Sequence, residues 1–459
     1  MRPIVSVLEP DFAATREYLF QKLHEERAGF WLCGLVTAGG QHRWTVREFL
    51  PVPDEANLAR SGMSVSISPA FTAEVLQKCR VDGLSLFVLH SHPGARGYVN
   101  FSPTDDEGEP LFIAPVCRRL DDGVHGAIVF GEDSLSARWW DPEEFKPRPI
   151  EVVRVVGAFI RDLVPDNWAD QVHDVDFTLA QYDRQVRAFG RDGQLRLSKL
   201  VVGVVGAGGT GSLTVQQLVR LGVGRILVVD DDRIDASNLP RTVAAIAEDA
   251  VLATPKVHVA ARHGVGLLGS TQIEPLDGNI RNPAFAQRLR VCDVIFSCVD
   301  RHYPRAILNQ FAQQYLTPVI DMGIQIQAGE GGRISGAGGR VAVIRPGAWC
   351  LSCTGDISPA QLRVEALSPE EREKEVEQGY VTPDIPAPSV ISLNAVVSSL
   401  AVTEFLQLVL GFAGTSYGTG RRIYRILDGR VTEAADEPSD DCFVCRGRFK
   451  ALGDRAVLP

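Results

Sequence analysis

The chain has 459 residues, 45% of them hydrophobic and 23% charged, the composition of a globular protein long enough for two or three domains. Its net charge of −10 argues against nucleic acid or an anionic membrane as the main partner. No apolar run reads as long enough to span a bilayer, and MRPIVSVLEPDF at the N-terminus carries Pro and acids where a secretory leader is apolar. The nine cysteines form an odd set in a large acidic chain, so the expectation is a reducing cytoplasm and not a disulfide scaffold.

Residues 11–27 place Phe12, Leu19, Phe20 and Leu23 at helical spacing. The apolar runs at 29–36 (GFWLCGLV), 84–89 (LSLFVL) and 126–130 (GAIVF) suit buried strands. The stretch 141–151 is rich in Pro and charge and reads as a boundary, followed by a connecting helix at 152–164. From Phe177 the pattern changes. VVGVVG (201–206) suits a strand, then comes a glycine turn and a helix through Leu221, then RILVVD (225–230) as the next strand. CDVIFSCVD (292–300) and TPVIDMG (317–323) are later strands, with a helix between them at 303–315. This alternation implies a mainly parallel, doubly wound sheet. Residues 358–388 read as a charged, then Pro-rich, crossover loop, and 389–411 as a long apolar helix.

The segment HSHPGARGYVNFSPTD (90–105) has the makings of a metal site. A hydrolytic zinc ion needs a few protein ligands and one open position for water. His90 and His92 flank Ser91 at the end of a strand, where residues two apart share a face. Asp105 supplies an oxygen ligand, and Glu26, with Glu25 as the alternative, supplies a general base. Against this stands the ordinary fate of an isolated His-x-His, a satisfied polar pair. The constellation resembles the JAMM (JAB/MPN) metallopeptidase family, whose pattern is a Glu, then His-x-His-Pro, then Ser-x-x-Asp. That resemblance spans about residues 5–140 and implies an α+β domain, Ser102 as a group holding the oxyanion or bound water, and one catalytic Zn2+. The segment from Gly94 to Phe101 is longer than usual in that family, which puts the placing of Asp105 at stake.

Downstream, GAGGTG (206–211) opens a helix after a strand, so Gly206, Gly208, Gly209 and Gly211 form a phosphate-cradling turn, and Asp230 ends the next strand within reach of a ribose. An NAD dehydrogenase fits these features equally well. Further residues favour ATP. Asp232, Asn238, Arg241, Lys256, Asp300 and Arg184 add cations and acids that hydride transfer does not need and phosphate chemistry does. Together they resemble the ThiF/MoeB superfamily of ubiquitin-activating type adenylating enzymes over about residues 177–448. The resemblance implies a Rossmann-like fold with Asp230 on the ribose and Asn238, Arg241 and Lys256 on phosphates. It further implies Mg2+ held by Asp300 with help from Asp232, and Arg184 reaching the nucleotide of a second copy in a homodimer. Thr242 and Arg301 depart from that family's common residues.

Cys350-x-x-Cys353 and Cys442-x-x-Cys445 read as a closed structural Zn2+ site. Many relatives of this type carry a nucleophilic Cys in the crossover segment, but residues 379–389 (GYVTPDIPAPS) contain none, and Cys292 and Cys298 sit in an apolar strand. The whole reads as an α/β chain. A JAB/MPN-type α+β domain occupies residues 1–148, a linker and connecting helix 149–176, and a doubly wound ThiF-type adenylation domain 177–459. The resemblances imply a bifunctional cytoplasmic enzyme that uses ATP, Mg2+ and Zn2+. It would adenylate the terminal carboxylate of a ubiquitin-like protein ending in Gly and hydrolyse a peptide or isopeptide bond near it, with a conjugating enzyme as a further partner and no role for nucleic acid or membrane. The alternatives are activation of a sulfur-carrier protein with trimming by the first domain, and a first domain that only docks.

Overall fold

The computed structural model describes residues 2–38, 40–60, 65–120, 123–169, 180–265, 271–382, 387–414, 420–456 and 458. The chain forms two compact units. The division between them falls within 170–179, so the expected start near Phe177 and the end of the expected linker lie outside the described residues.

The first unit is built on β1 (Ile4–Leu8), α1 (Glu9–Leu19), β2 (Ala28–Ala38), β3 (Gln41–Pro51), β4 (Asn57–Arg60), β5 (Val65–Ile67), α2 (Pro69–Asp82) and β6 (Ser85–Ser91). It continues with α3 (Pro103–Arg119), β7 (Gly126–Phe130), β8 (Leu135–Trp140), β9 (Pro147–Pro149), β10 (Val152–Val156), β11 (Ile160–Leu163) and α4 (Asp166–Ala169). One mixed sheet runs β11-β10-β1-β3-β2-β6-β7-β8-β9, and β4 pairs with β5 separately. Alternation along the strands sends side chains to two cores. Trp31, Trp44, Phe87 and Phe130 pack with Phe12 and Leu19 of α1 on one face. Phe30, Leu32 and Leu86 pack with Val75, Leu76 and Cys79 of α2 and Val116 of α3 on the other. His90 follows Leu86 and Val88 at steps of two, so β6 aims it at the α2–α3 side.

The second unit holds α5 (Asp183–Lys199), β12 (Val201–Val205), α6 (Gly209–Arg220), β13 (Arg225–Asp230), α7 (Ala247–Val251), α8 (Lys256–Val265), β14 (Gln272–Asp277) and α9 (Pro283–Arg288). After these come β15 (Val294–Ser297), α10 (His302–Tyr315), β16 (Val319–Ala328), β17 (Ile334–Ile344), α11 (Pro359–Ala366), α12 (Pro369–Glu377), α13 (Ile391–Leu410), β18 (Arg421–Arg425) and β19 (Arg430–Ala434). The strand order is β14-β13-β12-β15-β16-β17-β18-β19, with the first five parallel and the last three added antiparallel. The central parallel strands β12, β13 and β15 are near-continuous apolar runs, as strands covered on both faces must be. The chain winds outward in both directions from β12 and β15, which makes the end of β12 the switch point where ligands bind such sheets.

Four expectations need correction. Residues 152–164 are not a connecting helix: Val152, Val153, Val155 and Val156 are β-branched and buried, and β10 lies parallel to β1. The expected linker from 149 is therefore, through Leu163, part of the first sheet. The second domain does not run unbroken to Pro459, because Gln314–Leu316 and the segment starting at Phe449 belong to the first unit. There Thr45 donates to the Ala451 carbonyl at 3.0 Å and Arg455 to that of Gly83 at 2.9 Å. The expected loop at 358–388 contains α11 and α12, each started by a Ser N-cap before Pro. Finally, α13 is long and apolar enough to cross a bilayer by length and composition alone. Within its unit it is a core helix, with Phe405 against Phe296 and Ser398 bonded to Thr214 of α6.

Candidate functional site

Three expected ligands of the first unit come together. His90 Nε2 lies 3.2 Å from His92 Nε2 and 3.1 Å from Asp105 Oδ1, and His92 Nε2 lies 3.4 Å from Asp105 Oδ2. Bonds of 2.0–2.1 Å to a tetrahedral zinc ion require ligand atoms about 3.3 Å apart. The residues therefore fit such an ion at three corners. Burial acts to raise Asp105, but hydrogen bonds from His90, His92 and the Ser102 amide outweigh it and hold the carboxyl well below the usual range. The hydrogen bond to Asp105 raises His92.

Local structure explains the convergence. The His92 amide donates to the Phe130 carbonyl at 2.8 Å, which fixes the second histidine beside β7. Ser102 caps α3: its hydroxyl donates to Asp105 Oδ2 at 2.8 Å and accepts from the Asp105 amide at 3.2 Å. The long segment after Pro93 does not displace Asp105. Its Gly97 amide donates to Asp133 at 2.6 Å, its Ala95 carbonyl accepts from Glu132 at 2.8 Å, and its Val99 amide donates to Asp166 at 2.8 Å. Ser91, which sequence reasoning passed over, ties the base to the ligands. The Arg27 amide donates to its hydroxyl at 3.1 Å, and its own amide donates to the Arg27 carbonyl at 3.0 Å.

Those bonds place Glu26 at the site, buried, with Oε1 3.8 Å from His92 Nε2. Burial raises its pKa, with His90 and His92 pulling the other way. Glu25 points elsewhere, to Lys22 at 3.7 Å. Of the two candidate bases, Glu26 is the one at the candidate metal ligands.

In the second unit, Gly206 follows β12 at φ +93°, and a Cβ there would press on the Cys298 carbonyl. One at Gly211 would collide with the Gly206 carbonyl, so the turn demands glycine at both. A Cβ built on Gly208 meets nothing within 4 Å, and Gly208 caps α6 without a side chain, which leaves first-turn amides of α6 open to an anion. Asp230 clamps the turn, accepting from the Ala207 amide at 2.5 Å and the Asp232 amide at 2.8 Å. Burial raises its pKa, and Lys256 opposes that rise. Lys256 is nearly buried and pairs with Asp232 at 2.6 Å.

Asn238 and Arg241 lie on one loop, tied to α6 by the Val243 amide donating to Ser212 at 3.1 Å. Asn238 is buried, and Arg241 donates to the Ser237 carbonyl at 2.8 Å. Asp300 is exposed two residues beyond Cys298, the residue that abuts Gly206. Arg184 stands exposed at the start of α5.

Two features escaped sequence reading. Asn394 of α13 is buried against Gly209. Asp321, fully buried in β16, accepts from Ser297 at 2.6 Å, from Arg305 at 3.2 Å and from Arg340. Arg305 in turn donates to the Val299 carbonyl at 2.8 Å and so braces the backbone before Asp300. Asp321 carried no local signal because its partners come from other elements, and nothing near Asn394, which bonds Ser389 at 3.0 Å, announces its place against Gly209.

The four knuckle cysteines also assemble. Cys350 Sγ is 3.8 Å from Cys353 Sγ and 3.5 Å from Cys442 Sγ, and Cys353 Sγ is 3.4 Å from Cys445 Sγ. Zinc–sulfur bonds of 2.3 Å imply edges of about 3.8 Å, so the set fits a tetrahedral zinc ion. A hydrogen bond from Cys445 lowers the Cys350 thiol to about 5. Burial pushes Cys298 the opposite way, to about 12, which disfavours its thiolate.

The sequence model of the ThiF family matches residues 182–444. The SAMP-activating enzyme E1 of Haloferax volcanii is 27% identical over 58% of this chain and 88% of its own length. The sulfur carrier protein adenylyltransferase of Thermus thermophilus is 29% identical over 58% of this chain and 90% of its own. The sulfur carrier protein ThiS adenylyltransferase of Escherichia coli is 26% identical over 60% and 98%.

Proposed function

Since the chain belongs to the ThiF family, we propose that its second unit binds ATP and adenylates the C-terminal carboxylate of a ubiquitin-like or sulfur-carrier protein. The relatives' names favour that substrate class. The observation that carries the reading is the open glycine turn with Asp230 and the Lys256–Asp232 pair at its edge. The α6 amides and Lys256 hold phosphate, Asp230 the ribose, and Asn238 and Arg241 the outer phosphates. Asp300 and Asp232 hold Mg2+, which offsets phosphate charge when bound. The carrier's carboxylate oxygen bonds to the α-phosphorus as the bond to the β-phosphate breaks, and pyrophosphate leaves. Arg184, exposed on α5, completes the site of a second copy in a homodimer.

The first unit is, in this reading, a zinc peptidase of the JAMM type that trims the carrier or reverses its conjugation. His90, His92 and Asp105 hold the ion, which when bound polarises a carbonyl and acidifies water. Glu26 takes the proton from the attacking water and passes it to the leaving amine. Ser102 keeps Asp105 in place; its one hydroxyl proton goes to that carboxylate, so holding an oxyanion requires the hydroxyl to turn away from Asp105.

With no Cys between Cys353 and Cys442, the enzyme hands its acyl-adenylate directly to another thiol, such as that of a conjugating enzyme, or to a sulfur donor. The test is ATP–pyrophosphate exchange with carriers ending in Gly-Gly, followed by mass spectrometry of the enzyme. Exchange without a reducible adduct supports the reading. Absence of exchange with every carrier overturns it, and a thioester on any cysteine overturns the direct hand-off.

A further inference from the structure

A cavity of about 530 Å³ opens beside His90 and Asp105 in the first unit, between α2, α3 and β6. Strand alternation makes the two neighbours: Val88 and His90 are two residues apart on β6 and both face the cavity. Its wall is apolar, with Ile67, Leu76, Val88, Phe112 and Val116. The ionisable groups there are committed or distant. Glu26 and Asp105 belong to the metal-binding set, and Glu109 is taken up by Arg138 at 2.8 Å. Arg119 is exposed about 21 Å along α3 from Asp105, at 1.5 Å per residue. Among the described residues, nothing in the middle of this wall recognises a charge.

We infer that this cavity seats a bulky apolar side chain (Leu, Ile, Met or Phe) directly beside the bond that the first unit cuts. The inference rests on the hydrolase reading above and narrows its substrate to proteins with such a residue at the cleavage point. A glycine there leaves the wall wetted and gains nothing from it. One buried apolar side chain in place of glycine changes affinity on the order of tenfold or more.

The experiment uses the full-length, zinc-loaded protein and capped oligoglycine peptides carrying one central Gly, Leu, Phe, Asp or Lys. Cleavage is followed by mass spectrometry for kcat/KM. Binding is followed by fluorescence anisotropy with the Glu26→Gln variant, which reads the cavity without turnover. The expected result is tighter binding and faster cleavage of the Leu and Phe peptides, by on the order of tenfold over Gly. Thr72→Trp, filling the cavity from α2, abolishes that preference and leaves the Gly peptide unchanged. Ser66→Trp at the exposed rim serves if Thr72→Trp does not fold. Cleavage with no preference for Leu or Phe, or with Asp or Lys preferred, overturns the inference while the hydrolase reading stands. A folded cavity-filling variant that keeps the preference also overturns it. Binding preference with no cleavage of any peptide overturns the hydrolase reading, and the placement beside a scissile bond with it.

Discussion

At the scale of single residues, the chemistry proposed for each unit turns on one side chain. Glu26 is buried beside two histidines, and burial raises its pKa towards the range where a carboxylate can both take and return a proton. Glu26→Gln keeps the shape and removes the base, so peptide hydrolysis falls by about 10²–10⁴ while ATP–pyrophosphate exchange is unchanged. Equal loss of both activities would show that Glu26 acts on the fold instead. Lys256 is the counterpart in the second unit, nearly buried and held by Asp232. Lys256→Ala is expected to lower pyrophosphate exchange by about 10²–10³ and to spare hydrolysis, measured on the same preparation.

His125 shows how a buried residue ties the β6 strand to pH. Its Nδ1 accepts from the Leu86 amide at 3.1 Å, a bond that only the neutral ring can make, and burial pushes its pKa down to about 4. The unfolded chain takes up that proton near pH 6.5, so the folded state loses stability as pH falls from about 6.5 to about 4, by roughly 3 kcal/mol in all. Above pH 6.5 the contribution is flat. His125→Asn is expected to flatten this acid slope in urea unfolding followed from pH 8 to pH 4. An unchanged slope would place the acid sensitivity elsewhere.

At the scale of elements, the start of α3 does two things at once. Ser102 caps the helix and its hydroxyl steadies Asp105. Ser102→Ala is therefore expected to cost about 1 kcal/mol of stability in urea unfolding and to weaken zinc binding in a chelator competition. Ser102→Thr restores both, and a loss of stability with zinc affinity intact would reduce Ser102 to a cap. The same scale explains what the sequence disclosed. Strands such as β12, β13 and β6 were legible because each is an apolar run ending on a residue with chemistry, Gly206, Asp230 or His90. The strand β10 was misread because its valines follow a Pro-rich stretch that looks like a boundary. The helices α11 and α12 were passed over because they bury no residue and so lack an apolar stripe, although Ser358-Pro359 and Ser368-Pro369 announce their starts. Asp321 was beyond reach because packing of separate elements, not spacing, gives it its partners, and the place of Asn394 was hidden because helix packing sets it against Gly209.

At the scale of the whole molecule, each unit holds the residues of one proposed chemistry, and the two clusters that fit zinc differ in kind. The Cys350, Cys353, Cys442 and Cys445 set offers four ligands and is closed, whereas His90, His92 and Asp105 offer three and leave a position open. Two zinc ions per chain are expected by mass spectrometry of metal content. An open site exchanges with a chelator faster than a closed thiolate site, so brief EDTA treatment, followed by removal of EDTA and return of Mg2+, is expected to remove one zinc ion, stop hydrolysis and leave pyrophosphate exchange intact. Re-addition of Zn2+ restores hydrolysis. Cys442→Ser acts on the other ion: it lowers zinc content by one and makes the segment after Ala434 sensitive to protease, with hydrolysis of peptides retained. A preparation that loses both activities together as the first ion leaves would mean that the units do not work separately, and the assignment of one chemistry to each would fall.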